Sequence, residues 1–482
     1  MKVPSNRVLM PKLPSGGRSV RPTARSIRRW AAGVVVLSCG VIAAGAYGIT
    51  HPAALPAKWG AVVQDWTGIN AQPVHLLLPP VAPLSAVALL GKEMFNDPSL
   101  SASGQQSCAS CHSAAHAYGP PNDLSVQMGG PHLTLEGYRP PPSLAYLYRQ
   151  ATFSIGPDIG GDVEVPIDLN ALADSAKGTQ RATKDAGTTP AAPALVPQGG
   201  LFWDGRADSL QRQALGPMLN PVEMANANVA DVAAKLKQSK YAASFSQLFG
   251  KNILGQDDLL VSEAMFAIGR YEFEDASFHA FSSKYDAWLQ GKARLTRAEM
   301  HGMALFNDPT KANCAGCHLS QPTKDGLPPL FTDTQYEALG VPRNTKLQIN
   351  KNPAFFDLGV CGPFRTDVAS QTQYCGMFLT PTLRNVDTRH AFFHNGEYHT
   401  LQEVMNFYNL RSTNPEKIYP KDASGKVEQY DDIPAKYHAN VDVADPPFDR
   451  KPGETPAMTD QDIKDIIAFI GTLDDGYTGK PK

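Results

Sequence analysis

Apolar residues recur at helical spacing in three stretches of the chain. Leu84, Val87, Ala88, Gly91, Met94 and Phe95 fall at i, i+3, i+4 and i+7 positions, predicting a helix with one apolar face that stops at Asp97-Pro98. Met300, Met303 and Phe306 repeat the arrangement behind Thr296-x-x-Glu299, a capping box, and that helix stops at Asp308-Pro309. Ile463, Ile466, Ile467 and Ile470 mark a last helix after Thr459-Asp460-Gln461-Asp462. No long stretch alternates with a period of two, so the fold class is mainly α. The first two helices both end in Phe-Asn-Asp-Pro and both lead into Cys-x-x-Cys-His, so the pattern is doubled.

The doubling divides the chain into a first helical domain, 81–285, and a second, 286–482. Residues 150–200 read as an insertion in the first, partly disordered, because 178–200 is small-residue-rich and Pro-bearing. Residues 51–80, rich in Pro and Ala, read as a linker. A length of 482 residues with 42% hydrophobic positions is enough for two cores of ordinary size.

Charge separates the N-terminus from the rest. Residues 1–30 carry eight basic side chains and no acid. The body that follows keeps 36 Lys and Arg against 46 Asp and Glu, about −10. That balance excludes a nucleic-acid binder, which needs a basic face to displace phosphate counterions, and suits a basic protein partner. Residues 31–50, AAGVVVLSCGVIAAGAYGIT, hold no charge and at ~1.5 Å per residue match a bilayer core. With the basic flank inside, this transmembrane helix places everything from His51 onward in the periplasm, anchored to the inner membrane. A cleaved signal peptide is the alternative reading of the same segment.

Cys108-Ala-Ser-Cys111-His112 and Cys314-Ala-Gly-Cys317-His318 fit attachment of haem c. Two residues between the cysteines bring both sulfurs to one edge of a porphyrin, and the adjacent histidine reaches the iron. Zinc half-sites or redox dithiols would want further ligands nearby, and the remaining cysteines are distant. Two covalent haems c are therefore expected, one per domain, in domains resembling cytochrome c. Cys361 and Cys375 are expected to form a disulfide in an oxidising compartment, closing a loop whose end lies beside Met377.

With these motifs, the stretches LFWDGRADSLQRQALGPMLNPVEM and CGMFLTPTLRNVDTRHAFFHNG, and the terminal helix, the sequence resembles the bacterial dihaem cytochrome c peroxidase family, including its MauG-type members, over roughly residues 84–475. The resemblance implies that the first haem is the peroxide site and the second receives electrons. It makes Trp203 the tryptophan between the haems, Gln213 the distal amide and Glu223 the distal acid. A carboxylate can take a proton from bound peroxide and return it to the departing oxygen, and a neutral amide can orient the substrate. It also makes His112 and His318 proximal ligands, Met377 the sixth ligand of the second haem, and His132 a removable cap on the first, with Met128 and His116 as nearby rivals for that place. MauG-type enzymes use a tyrosine at the second haem, for which Tyr374 is nearby; His394 and His399 are read as packing near that haem's edge.

One position departs from the family pattern. Arg139-Pro140-Pro141-Pro142-Ser143 stands where the family has Arg-Asn-Ala-Pro-Thr, and the lost asparagine is a ligand of the family's calcium, which puts calcium in doubt here. The implied function is reduction of hydrogen peroxide to water with electrons from a small cytochrome c or cupredoxin. The alternatives are a MauG-like enzyme that oxidises a partner protein and a dihaem electron carrier. The reading is compatible with a homodimer.

Overall fold

In the computed structural model, which describes residues 57–158 and 195–479, a helix crosses a later helix at a glycine in each half of the chain. In the first half α2, Ala86–Phe95, packs on α6, Asp257–Glu274. In the second α8, Arg297–Phe306, packs on α10, Asp460–Ile470. The remaining longer helices are α1 (Ala57–Thr67), α3 (Leu210–Leu219), α4 (Val229–Gln238), α5 (Ala242–Phe249), α7 (Lys284–Leu289) and α9 (Leu401–Leu410).

The expected helix signals operate at both sites. Ser85 Oγ caps α2 by accepting from Ala88 N, and Thr296 and Glu299 close a reciprocal capping box on α8; such caps contribute about 1 kcal/mol each. A Cβ on Gly91 would lie 1.9 Å from the Ala267 carbonyl oxygen, and one on Gly302 would lie 1.8 Å from that of Asp465. Only glycine permits these approaches. Four residues later Phe95 and Phe306 are each fully buried, and Asp97 and Asp308 then turn the chain by accepting from Ser99 N and Thr310 N.

Two aromatic clusters fill the halves. Phe95, Tyr118, Tyr271 and Phe278 pack in the first; Tyr285, Phe306, Phe331 and Phe469 pack in the second. The strands are short and form three two-stranded antiparallel ribbons. These are β1–β2 (Met128–Gly129 with Leu135–Glu136), β3–β4 (Ser154–Pro157 with Leu195–Gln198) and β5–β6 (Tyr336–Glu337 with Phe378–Leu379).

Ribbon β3–β4 frames the stretch read as an insertion. Its ends are ordered and tied to the second half, since Tyr374 Oη donates to Leu195 O and Tyr336 Oη to Gly199 O. The expectation of disorder for 159–194 lies outside the described residues, as does the transmembrane reading of 31–50. Among the described residues no helix is long and apolar enough to cross a membrane. The stretch read as a linker carries α1, and Asn70 and Trp288 then hydrogen-bond the following segment to the second half.

A buried ion pair joins the halves. Arg139 of the first half bonds to Asp204 and to Asp357 of the second. The expected disulfide joins Cys361 and Cys375.

Candidate active site

Each Cys-x-x-Cys-His segment folds as a single tight turn, and the two turns present their histidines in the same way. Backbone bonds from His112 N to Cys108 O and from His318 N to Cys314 O, 2.9 and 2.8 Å, close the turns. His112 Nδ1 donates to Tyr118 O at 3.0 Å and His318 Nδ1 to Phe331 O at 2.9 Å. With Nδ1 as the donor, Nε2 carries the lone pair, the atom through which an imidazole can bind a metal. Burial pushes both imidazoles down to about 4, so they are neutral at pH 7, the form that binds a metal.

The four motif cysteines are not joined to one another. Burial pushes the thiols up, Cys108 and Cys314 to about 12 and Cys111 to about 11, so none is stabilised as a thiolate. This donor set suits thioether attachment better than a thiolate metal site or a redox dithiol.

Two cavities open beside these turns. The larger, about 250 Å³, runs from Leu144 and Leu147 of the first half past Trp203 to Cys314, Cys317 and His318. Arg389 is half-buried on its wall, its Nε is buried with no hydrogen bond among the described residues, and desolvation pulls the guanidinium down to about 10. A carboxylate-bearing group such as a porphyrin would satisfy it, so the residues present fit a haem. The smaller cavity, about 100 Å³, is lined by Cys111, His112, Trp203, Gln213 and Glu223 among others.

Three of the expected chemical residues therefore come together. Trp203 and Gln213 line both cavities, and Glu223 lines the smaller one. Trp203 is fixed by its indole N–H, which donates to Pro140 O at 2.9 Å, using the carbonyl that proline offers at the family's asparagine position. Glu223 Oε1 accepts from Asn220 Nδ2 at 2.7 Å, and no hydrogen bond engages Oε2 among the described residues. Burial raises this carboxyl above the usual range, while the charge of Arg206 and the Asn220 bond hold it partly down.

Two residues expected at the irons lie elsewhere. His132 is exposed on the turn between β1 and β2, and it is Met128 from that ribbon that reaches the small cavity. Met377 packs its side chain among Tyr336, Val360, Val368 and Tyr374, off the cavity wall, although Gly376 and Phe378 on either side line it. The cavity wall resumes at Phe378, Leu379 and Thr380, while Met377 is held in that cluster with its carbonyl accepting from Val360 N. Tyr374 is committed to Leu195 O. His394 does line the large cavity, stacked on Phe378 at 3.6 Å, its buried Nε2 3.5 Å from Asp432 Oδ2. His399 is held at the surface by His390 O.

Tyr408 is the residue that sequence reasoning missed. Leu401, Val404, Met405 and Tyr408 of α9 line the large cavity at i, i+3, i+4 and i+7. Burial and the adjacent Cys317 and Cys314 raise its phenol, and no hydrogen bond engages its hydroxyl among the described residues. The helical spacing was the available signal, but it reads equally as a core aromatic.

Residues 85–294 match the family described as di-haem cytochrome c peroxidase. The methylamine utilization protein MauG of Paracoccus denitrificans is 32% identical over 345 residues, covering 70% of this chain and 78% of its own. Cytochrome c551 peroxidase of Nitrosomonas europaea is 28% identical over 359 residues, 72% and 81%. Among solved structures, the diheme peroxidase BthA of Burkholderia thailandensis superposes with a TM-score of 0.69 at 34% identity, over 84% of this chain and 89% of that one. A tyrosine-to-methionine variant of BthA superposes with the same score and identity. The chain belongs to the di-haem cytochrome c peroxidase family, which implies two haems c as its cofactors.

Proposed function

We propose that this protein reduces hydrogen peroxide to water in the smaller cavity, using two electrons and two protons per peroxide. The observation that carries the reading is the placement of Glu223, Gln213 and Trp203 around one small cavity that also holds His112 and Cys111. Cys108 and Cys111 would hold one haem with His112 as ligand, and Cys314 and Cys317 the other with His318. When bound, the first supplies the iron that binds peroxide and the second exchanges electrons with a partner.

The side chains divide the remaining work. Glu223 Oε2 takes the proton from the near oxygen of peroxide and returns it to the far oxygen as it leaves. Arg206, whose charge favours the ionised carboxylate, keeps Glu223 able to accept that proton. The Gln213 amide donates a hydrogen bond that orients the substrate. Trp203, on the wall of both cavities, bridges the two sites.

Electrons from a small cytochrome c or cupredoxin complete the peroxidase reading. Tyr408 favours a second, MauG-like reading. It lies beside Cys314 and Cys317 in the large cavity where Met377 does not, and its phenol would help hold the second haem. A phenolate favours the oxidised metal, whereas a thioether favours the reduced one, so oxidising equivalents would be held for a protein partner. Residues 31–50 and their basic flank support a periplasmic site anchored to the inner membrane.

Stopped-flow mixing of the peroxide-treated protein with a reduced small cytochrome separates the readings. Rapid oxidation of the donor with multiple turnovers supports the peroxidase. A persistent oxidised spectrum with little donor oxidation supports the second reading, and no spectral response to peroxide refutes both.

A further inference from the structure

The wall of the small cavity is not made by the first half alone. Phe364, from the loop closed by Cys361 and Cys375 in the second half, lines it together with Tyr138, Gln127 and Met128. Burial distinguishes floor from mouth. Gln106, His112, Gln213 and Met224 are buried, whereas Phe364, Tyr138 and Gln127 are half-buried and Met128 is 38% exposed.

Phe364 is held from several sides. Its ring stacks on Tyr138 with centroids 5.0 Å apart, and the Arg139 guanidinium lies 4.8 Å from its centroid. Arg139 is itself fixed by Asp204 and Asp357, and the next loop residue, Arg365, donates to Asp204 O at 2.9 Å. The ring thus offers a rigid apolar surface at the mouth and no group that could take part in proton transfer.

We propose that Phe364 is the size-selecting wall of the small cavity, carried there by the disulfide-closed loop of the opposite half, and that it admits hydrogen peroxide in preference to alkyl hydroperoxides. The proposal rests on the peroxide reading above. A bulky alkyl group on the distal oxygen would have to occupy the volume held by the Phe364–Tyr138 stack, and that stack cannot move without disturbing Arg139 and Arg365.

Stopped-flow absorbance of the haem-loaded protein gives second-order rate constants for hydrogen peroxide and for tert-butyl hydroperoxide. Phe364→Ala is expected to raise the second constant relative to the first by about tenfold or more, and Phe364→Trp to lower it. If the alanine variant does not fold, Phe364→Leu gives a smaller shift in the same direction. A ratio that neither variant moves, or that the smaller and larger side chains move alike, overturns the proposal. A wild type that shows no absorbance change with hydrogen peroxide marks failure of the peroxide reading instead. The ratio of cyanide to imidazole affinity in the same proteins then decides the gate. Wild type is expected to favour cyanide and the smaller side chains to lose that preference; an unchanged preference overturns the gate.

Discussion

Arg139 grips Asp357 through two hydrogen bonds, Nε to Oδ2 at 2.7 Å and Nη2 to Oδ1 at 2.8 Å, and thereby joins the two halves of the molecule. A third bond, Nη1 to Asp204 Oδ2 at 2.9 Å, ties the same guanidinium to the segment that carries Trp203. The side chains are 7%, 10% and 0% exposed, so the cluster has little solvent to fall back on. Truncation by Arg139→Ala leaves two buried carboxylates without their shared partner, which costs about 3–5 kcal/mol. Arg139→Lys keeps the charge but not the fork, and recovers only part of that loss. Denaturant unfolding of the haem-loaded proteins measures both.

Glu272 makes stability depend on pH in the opposite sense to an ion-paired acid. It is buried near Cys108, its Oε2 has no hydrogen bond, and burial pushes its carboxyl up to about 8. The unfolded chain ionises this group near 4.3, so between about 4.3 and 8 the folded state holds the extra proton. Stability contributed by the neutral carboxyl is complete below the unfolded value and falls as pH rises through that window, by on the order of a few kcal/mol. Glu272→Gln removes the titration. Relative to wild type it should gain stability at pH 8 and lose that gain by pH 4, as followed by chemical denaturation.

Replacement of Met377 and of Tyr408 should have different spectral consequences. Met377→Leu changes one apolar side chain for another in the cluster with Val360 and Tyr336, and the spectrum of the second haem should be unchanged. Tyr408→Phe removes the hydroxyl that faces the large cavity and should alter that spectrum and raise the haem's potential. Visible spectroscopy with redox titration reads both effects; a shift in the methionine variant alone would restore Met377 as ligand.

Opening the Cys361–Cys375 bridge should loosen the loop that carries Phe364. The closed loop spans a separation of 14 residues, and its loss by Cys361→Ala with Cys375→Ala should cost about 3 kcal/mol in the chain-entropy model. Thermal unfolding under oxidising conditions checks the size of the effect.

The doubled architecture was legible because its signals are local. Capping residues, the Gly91 and Gly302 approaches and the Asn-Asp-Pro turns lie within a few positions of each motif, and the helices form there. Trp203, Gln213 and Glu223 came from the resemblance to the family, and the fold brings them to one cavity. Met377 and Tyr408 show the limit. Proximity to a motif does not say which cluster a side chain joins, and Met377 packs with Tyr336 and Val360 rather than on the cavity wall. Tyr408 follows the loop by a whole helical face, and only the packing of α9 reveals that it borders the cavity. Arg139 and Asp357 lie 218 positions apart, beyond any local pattern.

In the function proposed above, Glu223 moves the proton that allows peroxide to be cleaved. Stopped-flow absorbance with hydrogen peroxide, comparing wild type with Glu223→Gln at matched haem content, tests it directly. The variant's rate constant should be lower by about 10²–10⁴-fold, with the wild-type rate falling on acidification from a point above the usual carboxylate range. A rate unchanged by the substitution, in protein carrying both haems, would contradict it.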